Sequence, residues 1–393
     1  MDERERVRIR TYGVRFGDAI LISVPDEDES GAPLARHILM DVGNVLSGEG
    51  GADAVFAPVI ADISRELGGR PLDLYVVTHE HMDHVQGLYH AAVRLGLRLD
   101  VDYAWLTASA APDYYNEDKH PDARRRRPEM LAAYDDIARY VQAAPEDATA
   151  WAQAMLLNNN PRSTEQCVDY IRGLARHTAY VYRGCELAGT HPFRAAQFAI
   201  WAPEEDTADY YGLLQPMALG LAPQANARRA PSFTEVLPPA GVDAGAFYNL
   251  VDARCRGYGD NLLAIDRAAN NTSVVMALEW RGRRLLFTGD AEQRSWRAMA
   301  SASVLAPVDF LKVSHHGSHT GVPAEDLIEQ LLPAAGDARA RVAVVSTYPD
   351  TYAGVPDREL VAEALGPRCD VRWVDKGAVG DGEWLDCWVE PGA

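Results

Sequence analysis

Residues 76–88 read Val76-Val77-Thr78-His79-Glu80-His81-Met82-Asp83-His84-Val85-Gln86-Gly87-Leu88. Four side chains able to bind a metal, His79, His81, Asp83 and His84, crowd into six positions directly behind an apolar run. They cannot all share one face of a regular element. His79 and His81 point the same way only while the backbone is extended, because side chains in a strand repeat every second residue. The adjacent Asp83 and His84 diverge. The economical arrangement is a strand over 74–78 that ends in a loop, aiming two histidines at one metal and the Asp83–His84 pair at a second.

Outward from this stretch, Val85 to Leu95 carries the pattern of a helix packed on a sheet, and Val101 to Leu106 that of another strand. Upstream, Ala52 to Leu67 has apolar residues at helical spacing, with Gly68-Gly69 as the stop. Before it, Val7 to Arg15, Ala19 to Val24 and His37 to Asp41 are strand signals bounded by turn residues, as in a meander. Downstream, 107–173 is expected to be a mainly helical insertion or lid, with helices over Met130 to Ala143 and Thr164 to His177. Its run Arg124 to Arg127 is expected to be a solvated helix face. Tyr180 to Arg183 and Phe198 to Trp201 look like strands. Residues 204–262, rich in Pro, Gly and Ala, are expected to be a second, irregular insertion.

Regular structure returns with the hairpin of Ser273 to Trp280 and Arg284 to Thr288, which ends at Gly289-Asp290. Ala291 to Ala302 is helical in pattern, Val308 to Val313 is a strand, and Ser314-His315-His316-Gly317-Ser318-His319 follows it. Pro323 to Leu332 then reads as a helix, Arg341 to Ser346 as a strand, Arg358 to Leu365 as a helix and Val371 to Val374 as a strand. Strand and helix alternate here as they do in layered α/β proteins.

The whole chain sets further bounds. Its 393 residues, 47% apolar and 24% charged, suffice for a sizeable core and match an ordinary globular protein. A formal net charge of -19 disfavours a broad grip on a nucleic-acid backbone, which needs surplus Lys and Arg, while leaving room for a small anionic substrate held by metal ions. No apolar signal-peptide core follows the N-terminus and no window approaches a membrane span, so a cytoplasmic protein without a membrane partner is expected. Cys167, Cys185, Cys255, Cys369 and Cys387 lack any Cys-x-x-Cys pair and are expected to be reduced. Nothing here bears on oligomeric state.

Three strand ends thus carry metal-competent groups: the 79–84 cluster, Asp290, and His315-His316. Open sheets place their sites at such edges. Nitrogen and carboxylate ligands without thiolate suit zinc first, and also manganese or iron. Asp290 is the natural carboxylate to bridge two metals. In such a pair the metals lower the pKa of a bound water toward ~7 and stabilise charge on the attacked centre, which implies hydrolysis.

The segment His79-Glu80-His81-Met82-Asp83-His84 resembles the His-x-His-x-Asp-His signature of the metallo-β-lactamase superfamily. Further segments, Gly17-Asp18-Ala19-Ile20-Leu21-Ile22, Asp41-Val42-Gly43, Asn270-Asn271-Thr272-Ser273-Val274-Val275, Leu286-Phe287-Thr288-Gly289-Asp290 and Leu311-Lys312-Val313-Ser314-His315-His316-Gly317-Ser318, are similar to the soluble metallo-hydrolase domain of ComEC/Rec2 competence proteins and, more distantly, to bacterial phosphorylcholine esterases. The resemblance runs over about residues 7–106 and from about 260 to the C-terminus. It implies a single α/β domain over 1–393, a four-layer αββα sandwich, with the two insertions lying outside the family pattern.

It also implies two divalent metal ions, zinc or manganese. His79 and His81 would bind the first, Asp83 and His84 the second, and Asp290 would bridge them. One of His315 and His316 would complete the second site, His315 being favoured as first after its strand, with His316 either supporting the ligands from behind or acting as a proton donor; Asp83 and His316 are the expected catalytic residues. The family's further histidine on the first metal would have to come from His177 or His191, or be replaced by an insertion residue such as Asp260. Asp18 and Asp41 are expected to hold loops beneath the site, and Asn271 and Ser273 to be strand-turn residues. His319 is expected at the surface, and Tyr348 and Tyr352 within reach of the pocket. The activity implied is hydrolysis by a metal-bound hydroxide, of a phosphodiester first; an ester, thioester or lactone is the alternative. A metal-stabilised binding module without turnover is the reading of a different class.

Overall fold

The computed structural model describes residues 5–45, 51–116, 118–143, 149–212, 214, 258–334, 341–348, 351–352 and 354–392. Most of the expected insertion over 204–262, namely 213 and 215–257, lies outside the described residues, as does Cys255. The chain is α/β, with two mixed sheets. The first is seven-stranded and the second six-stranded among the described residues.

The first sheet opens with β1 (Val7–Tyr12), β2 (Ala19–Glu27) and β3 (Pro33–Val42), an antiparallel meander. β4 (Leu72–Val76), β5 (Val101–Thr107) and β6 (Ala175–Val181) add to it in parallel. The second sheet has β7 (Ala196–Ala202), β8 (Val275–Trp280) and β9 (Arg283–Phe287) antiparallel, then β10 (Phe310–Lys312), β11 (Val342–Ser346) and β12 (Asp370–Val374) in parallel. The last strand, β13 (Trp384–Val389), returns to the first sheet and pairs antiparallel with β1. It is absent from the periodicity reading, although Trp384-Leu385-Asp386-Cys387-Trp388-Val389 carries strand-forming residues. Arg10 of β1 ties it down, bonding Asp386 at 2.8 Å and Asp62 at 2.7 Å.

Period-two alternation gives each sheet two apolar faces. The inner faces meet in one buried cluster, with Ile9, Ile22, Ile38, Met40 and Val76 against Leu278, Leu285, Phe287, Phe310 and Val344. Helices cover the outer faces. On the first sheet lie α1 (Gly51–Leu67), α2 (Met82–His90) and α5 (Pro161–Leu174), whose Val59, Ile63, Val85, Val168 and Ile171 share a core with Leu21, Leu39 and Tyr75. On the second lie α7 (Gln293–Ser301), α8 (Glu325–Leu331) and α9 (Arg358–Leu365), through Trp296, Ile328, Leu331 and Val361. Each fully buried side chain of this size contributes roughly 1.5–3 kcal/mol. These three cores therefore outweigh the surface ion pairs, each worth about 0–1 kcal/mol.

Between α2 and α5 run α3 (Pro121–Ala143) and α4 (Ala150–Asn158), and a helix over 258–270, α6, packs its Leu262 against their Tyr134, Ile137, Val141 and Met155. Two expectations for this region change. The helix expected to reach His177 ends at Leu174, because Ala175–Val181 is drawn into the sheet beside β5. The run 124–127 is also more than a solvated face. Arg126 donates to the Ala208 and Tyr211 carbonyls at 2.9 and 3.2 Å, and Arg127 lies 4.1 Å over the Tyr115 ring. Cys167, Cys185, Cys369 and Cys387 are free thiols. No helix among the described residues is long and apolar enough to cross a membrane.

One buried group makes stability depend on pH. Burial, then the charges of Arg70 and Arg8, hold His37 down at about 4, below its ordinary 6.5. The unfolded chain therefore takes up a proton that the folded chain refuses. This contribution is complete above pH 6.5 and is lost as pH falls toward 4; its full size is about 3 kcal/mol. Chemical denaturation of the wild type and His37→Gln should give a stability difference that shrinks by about that amount between pH 7 and pH 4. A constant difference would refute the assignment.

Candidate metal centre

The loops after β3, β4, β9, β10 and β11 meet at one end of the two sheets. Parallel strands send their C-terminal ends the same way, so residues far apart in sequence converge there. Asp83, His84, Asp290 and His316 bring one ligand atom each within 4.8 Å of one another, and His79, His81 and Asp83 form an adjoining group. Asp290 Oδ2 lies 3.4 Å from both His84 Nε2 and His316 Nε2, and Asp83 Oδ2 lies 3.4 Å from His316 Nε2 and 3.7 Å from His84 Nε2. All of these residues are buried.

The rings are held from behind. Asp41 Oδ2 lies 2.8 Å from His84 Nδ1, and the same carboxylate accepts the Thr78 amide at 2.8 Å and the Thr78 hydroxyl at 2.7 Å. The Ser346 carbonyl lies 3.0 Å from His316 Nδ1. Each contact leaves Nε2 facing the centre, the usual way that a ligand's far nitrogen sets its orientation. Asp290 donates its backbone N–H to Ser273 Oγ at 3.0 Å, and Asp83 donates its own to Asn158 Oδ1 of α4 at 3.1 Å. Asp18 pairs with the buried Lys312 at 3.0 Å and accepts from the Ser346 hydroxyl, which joins the loop before β2 to β10 and β11. Asp18, Asp41 and His84 also bring ligand atoms within 4.8 Å of one another, with Asp41 on the far nitrogen of His84. Asp41→Asn should lower the affinity for Zn²⁺ about 10–100-fold. Competition with a chromogenic chelator measures this, and an unchanged affinity would remove Asp41 from the account.

The chemistry of the donor set fits a cation. Asp83 Oδ1, His84 Nε2, Asp290 Oδ1 and His316 Nε2 are buried and have no hydrogen-bond partner among the described residues. Orphans of this kind are costly one at a time, and four together call for a shared partner. The electrostatics agree. Burial alone would lower His84 and His316, but Asp290 and the other carboxylates outweigh it, raising His84 well above its ordinary value and His316 to about 10. Burial works against the Asp290 anion, yet the two imidazolium charges hold its carboxyl well below the usual range. Two carboxylates in this pocket demand positive charge, which a divalent cation would bring in place of ring protons. His79 is pushed well below its ordinary value by burial and by the neighbouring His84 and His81, which keeps it in the neutral form that binds metals.

No protein-family model and no curated protein matches the chain.

The structure brings His79, His81, Asp83, His84 and Asp290 into two adjoining groups, and of the two consecutive histidines it adds the second rather than the expected first. His316, not His315, stands with Asp83, His84 and Asp290. The alternation of β10 does not continue past Val313. His315 (φ 48°) and His316 (φ 53°) both adopt left-handed backbone, which swings His315 out toward Glu292 and Asn270 and buries His316. Non-glycine residues in this conformation are costly and cluster at functional sites.

The expected sources of a further first-site ligand lie elsewhere. His177 stacks on Tyr103, His191 packs against Phe198, and Asp260 is exposed on α6. A carboxylate not expected from the sequence, Asp266 on the same helix, instead faces His81, with Oδ1 3.9 Å from His81 Nε2. A helical period across 258–270 could have found it, but proximity to His81 could not be read from the sequence.

Beside the centre lies a cavity of about 370 Å³, reached by His81, Asp83 and Asp290 and walled by Phe16, Trp151, Met155, Leu263 and Tyr352. Arg267, Val355 and the exposed His319 stand around it. Helices α4 and α6 thus supply much of its wall.

Proposed function

We propose that the chain is a metal-dependent hydrolase of the metallo-β-lactamase type, with the helices on its sheets forming that family's αββα sandwich. We assign it two divalent cations, zinc or manganese, and a phosphodiester substrate. The observation that carries this reading is the convergence of Asp83, His84, Asp290 and His316 on one buried point beside His79 and His81. A bound divalent cation would supply Lewis acidity and a more acidic water. The chain does the rest. His84 and His316 present Nε2 because Asp41 and Ser346 hold their Nδ1 sides. Asp83 Oδ1, unpartnered among the described residues, is the atom to take a proton from the attacking water. His316, with Nε2 toward the cation and Nδ1 held by the Ser346 carbonyl, is a ligand in this scheme and has no proton to give the leaving group, which leaves the expectation of His316 as proton donor without support. Arg267, at the cavity, offers a cation for an anionic substrate despite the negative charge of the whole chain.

A second reading keeps the centre and changes the bond. The apolar wall of Phe16, Trp151, Met155 and Leu263 favours a substrate with an apolar group, as an ester, thioester or lactone would have. The enzyme loaded with Zn²⁺ or Mn²⁺ should hydrolyse bis(p-nitrophenyl) phosphate at least about tenfold faster, by kcat/KM, than p-nitrophenyl butyrate, a thioester or a lactone, a difference of about 1.4 kcal/mol in barrier. The reverse order would establish the second reading, and turnover of none would sink both.

A further inference from the structure

The cavity that Asp83 and Asp290 reach is lined also by a second set of donors. Asp266, Glu292 and His315 bring ligand atoms within 4.8 Å of one another. Asp266 and Glu292 are 8% and 5% exposed, and the His315 side chain 18%. Asp266 and Asn270 lie one turn apart on α6, so both face the same way. Asn270 places its amide among the three, 3.1 Å from Asp266 Oδ2, 3.0 Å from Glu292 Oε1 and 3.4 Å from His315 Nε2. The left-handed turn that sends His316 to the first group is what delivers His315 to this one.

A separate observation points into the set. His81 Nε2 is buried, has no hydrogen-bond partner among the described residues, and faces Asp266 Oδ1 across 3.9 Å. Its other nitrogen, Nδ1, is 3.0 Å from His79 Nε2. A gap of 3.9 Å is too long for a hydrogen bond, so His81 Nε2 is left without a partner on the side where the set lies. Two carboxylates with two imidazoles form an N/O set suited to zinc or manganese.

We propose that Asp266, Glu292 and His315, with His81 Nε2 facing them, form a further divalent-cation site that opens on the same cavity as the Asp83–His84–Asp290–His316 group. The inference concerns cation binding and does not rest on the reaction proposed above.

Equilibrium dialysis against Mn²⁺, followed by metal analysis, tests it without any substrate. Asp266→Asn combined with Glu292→Gln keeps side-chain volume and should remove one equivalent of Mn²⁺ or weaken it at least about tenfold. Asp83→Asn combined with His84→Gln should remove a different equivalent, so that the two losses add. If the Asp266/Glu292 variant, folded by circular dichroism, binds as much Mn²⁺ as tightly as the wild type, the site is refuted. Should that variant fail to fold, anomalous scattering from wild-type crystals soaked in Mn²⁺ decides. A peak among Asp266, Glu292 and His315 supports the site, and a peak at the Asp83–His84–Asp290–His316 group alone overturns it.

Discussion

Asp290→Ala is expected to abolish the proposed hydrolysis, lowering kcat/KM at least about a thousandfold, or roughly 4 kcal/mol of transition-state stabilisation. The reason is its central position. Its Oδ2 is the atom that both His84 and His316 approach to 3.4 Å, and its Oδ1 has no other partner among the described residues. Removing it leaves the two Nε2 atoms with one carboxylate on their side, Asp83, while Asp41 stays behind His84. Any cation held there loses a charge and a ligand together. The same variant should bind less Zn²⁺, as metal analysis after dialysis would show. Near-wild-type turnover with full metal content would exclude Asp290 from the chemistry, and with it the dinuclear reading.

Gly43→Ala is expected to be nearly as damaging without touching a ligand. A Cβ on Gly43 would stand 2.1 Å from both the Asp83 carbonyl carbon and the His84 nitrogen, whereas real Cβ contacts below 3.0 Å essentially never occur. The neighbouring atoms are backbone and cannot rotate away. Gly43 also donates its N–H to the Asp18 carbonyl, and Asp18 donates to the Asp83 carbonyl, so the three segments are already clamped at 3.0 and 3.1 Å. Relief therefore means moving the Asp83–His84 peptide by about 1 Å. Overpacking of this kind costs roughly 1–3 kcal/mol or more. A displacement of that size in a catalytic group costs about a hundredfold in rate. Thermal melting and kcat/KM should both fall, and a variant with wild-type values of both would mean that the β3 turn does not position the ligand pair.

Much of this framework is legible from local pattern. The run from Val76 to Leu88 places a strand, a ligand loop and a helix in order, and β4 and α2 follow it. The helix of 358–365 and the strand of 371–374 are likewise visible, because apolar periodicity depends on neighbours only a few positions apart. Where pattern fails, long-range contacts decide. The end of α5 at Leu174 is set by the pairing of β6 with β5, and β13 exists because β1 offers it an edge. Arg126 and Arg127 look like solvated charge until α3 is laid against 208–211 and Tyr115.

The sequence by itself determined which residue types could bind a metal, that His79, His81, Asp83 and His84 sit in one loop, and that Asp290 and the 315–316 pair follow strands of their own. Those are statements about chemistry and local spacing, which survive any tertiary arrangement. Only the tertiary structure decided which histidine joins which group. Strand alternation stops at the left-handed turn of 315–317, and the direction of each ring beyond it depends on what packs around it: Ser346 behind His316, Glu292 and Asn270 beside His315. It also decided that Asp266 stands opposite His81, since α6 is brought to the 79–84 loop by packing against α3 and α4, across nearly half the chain.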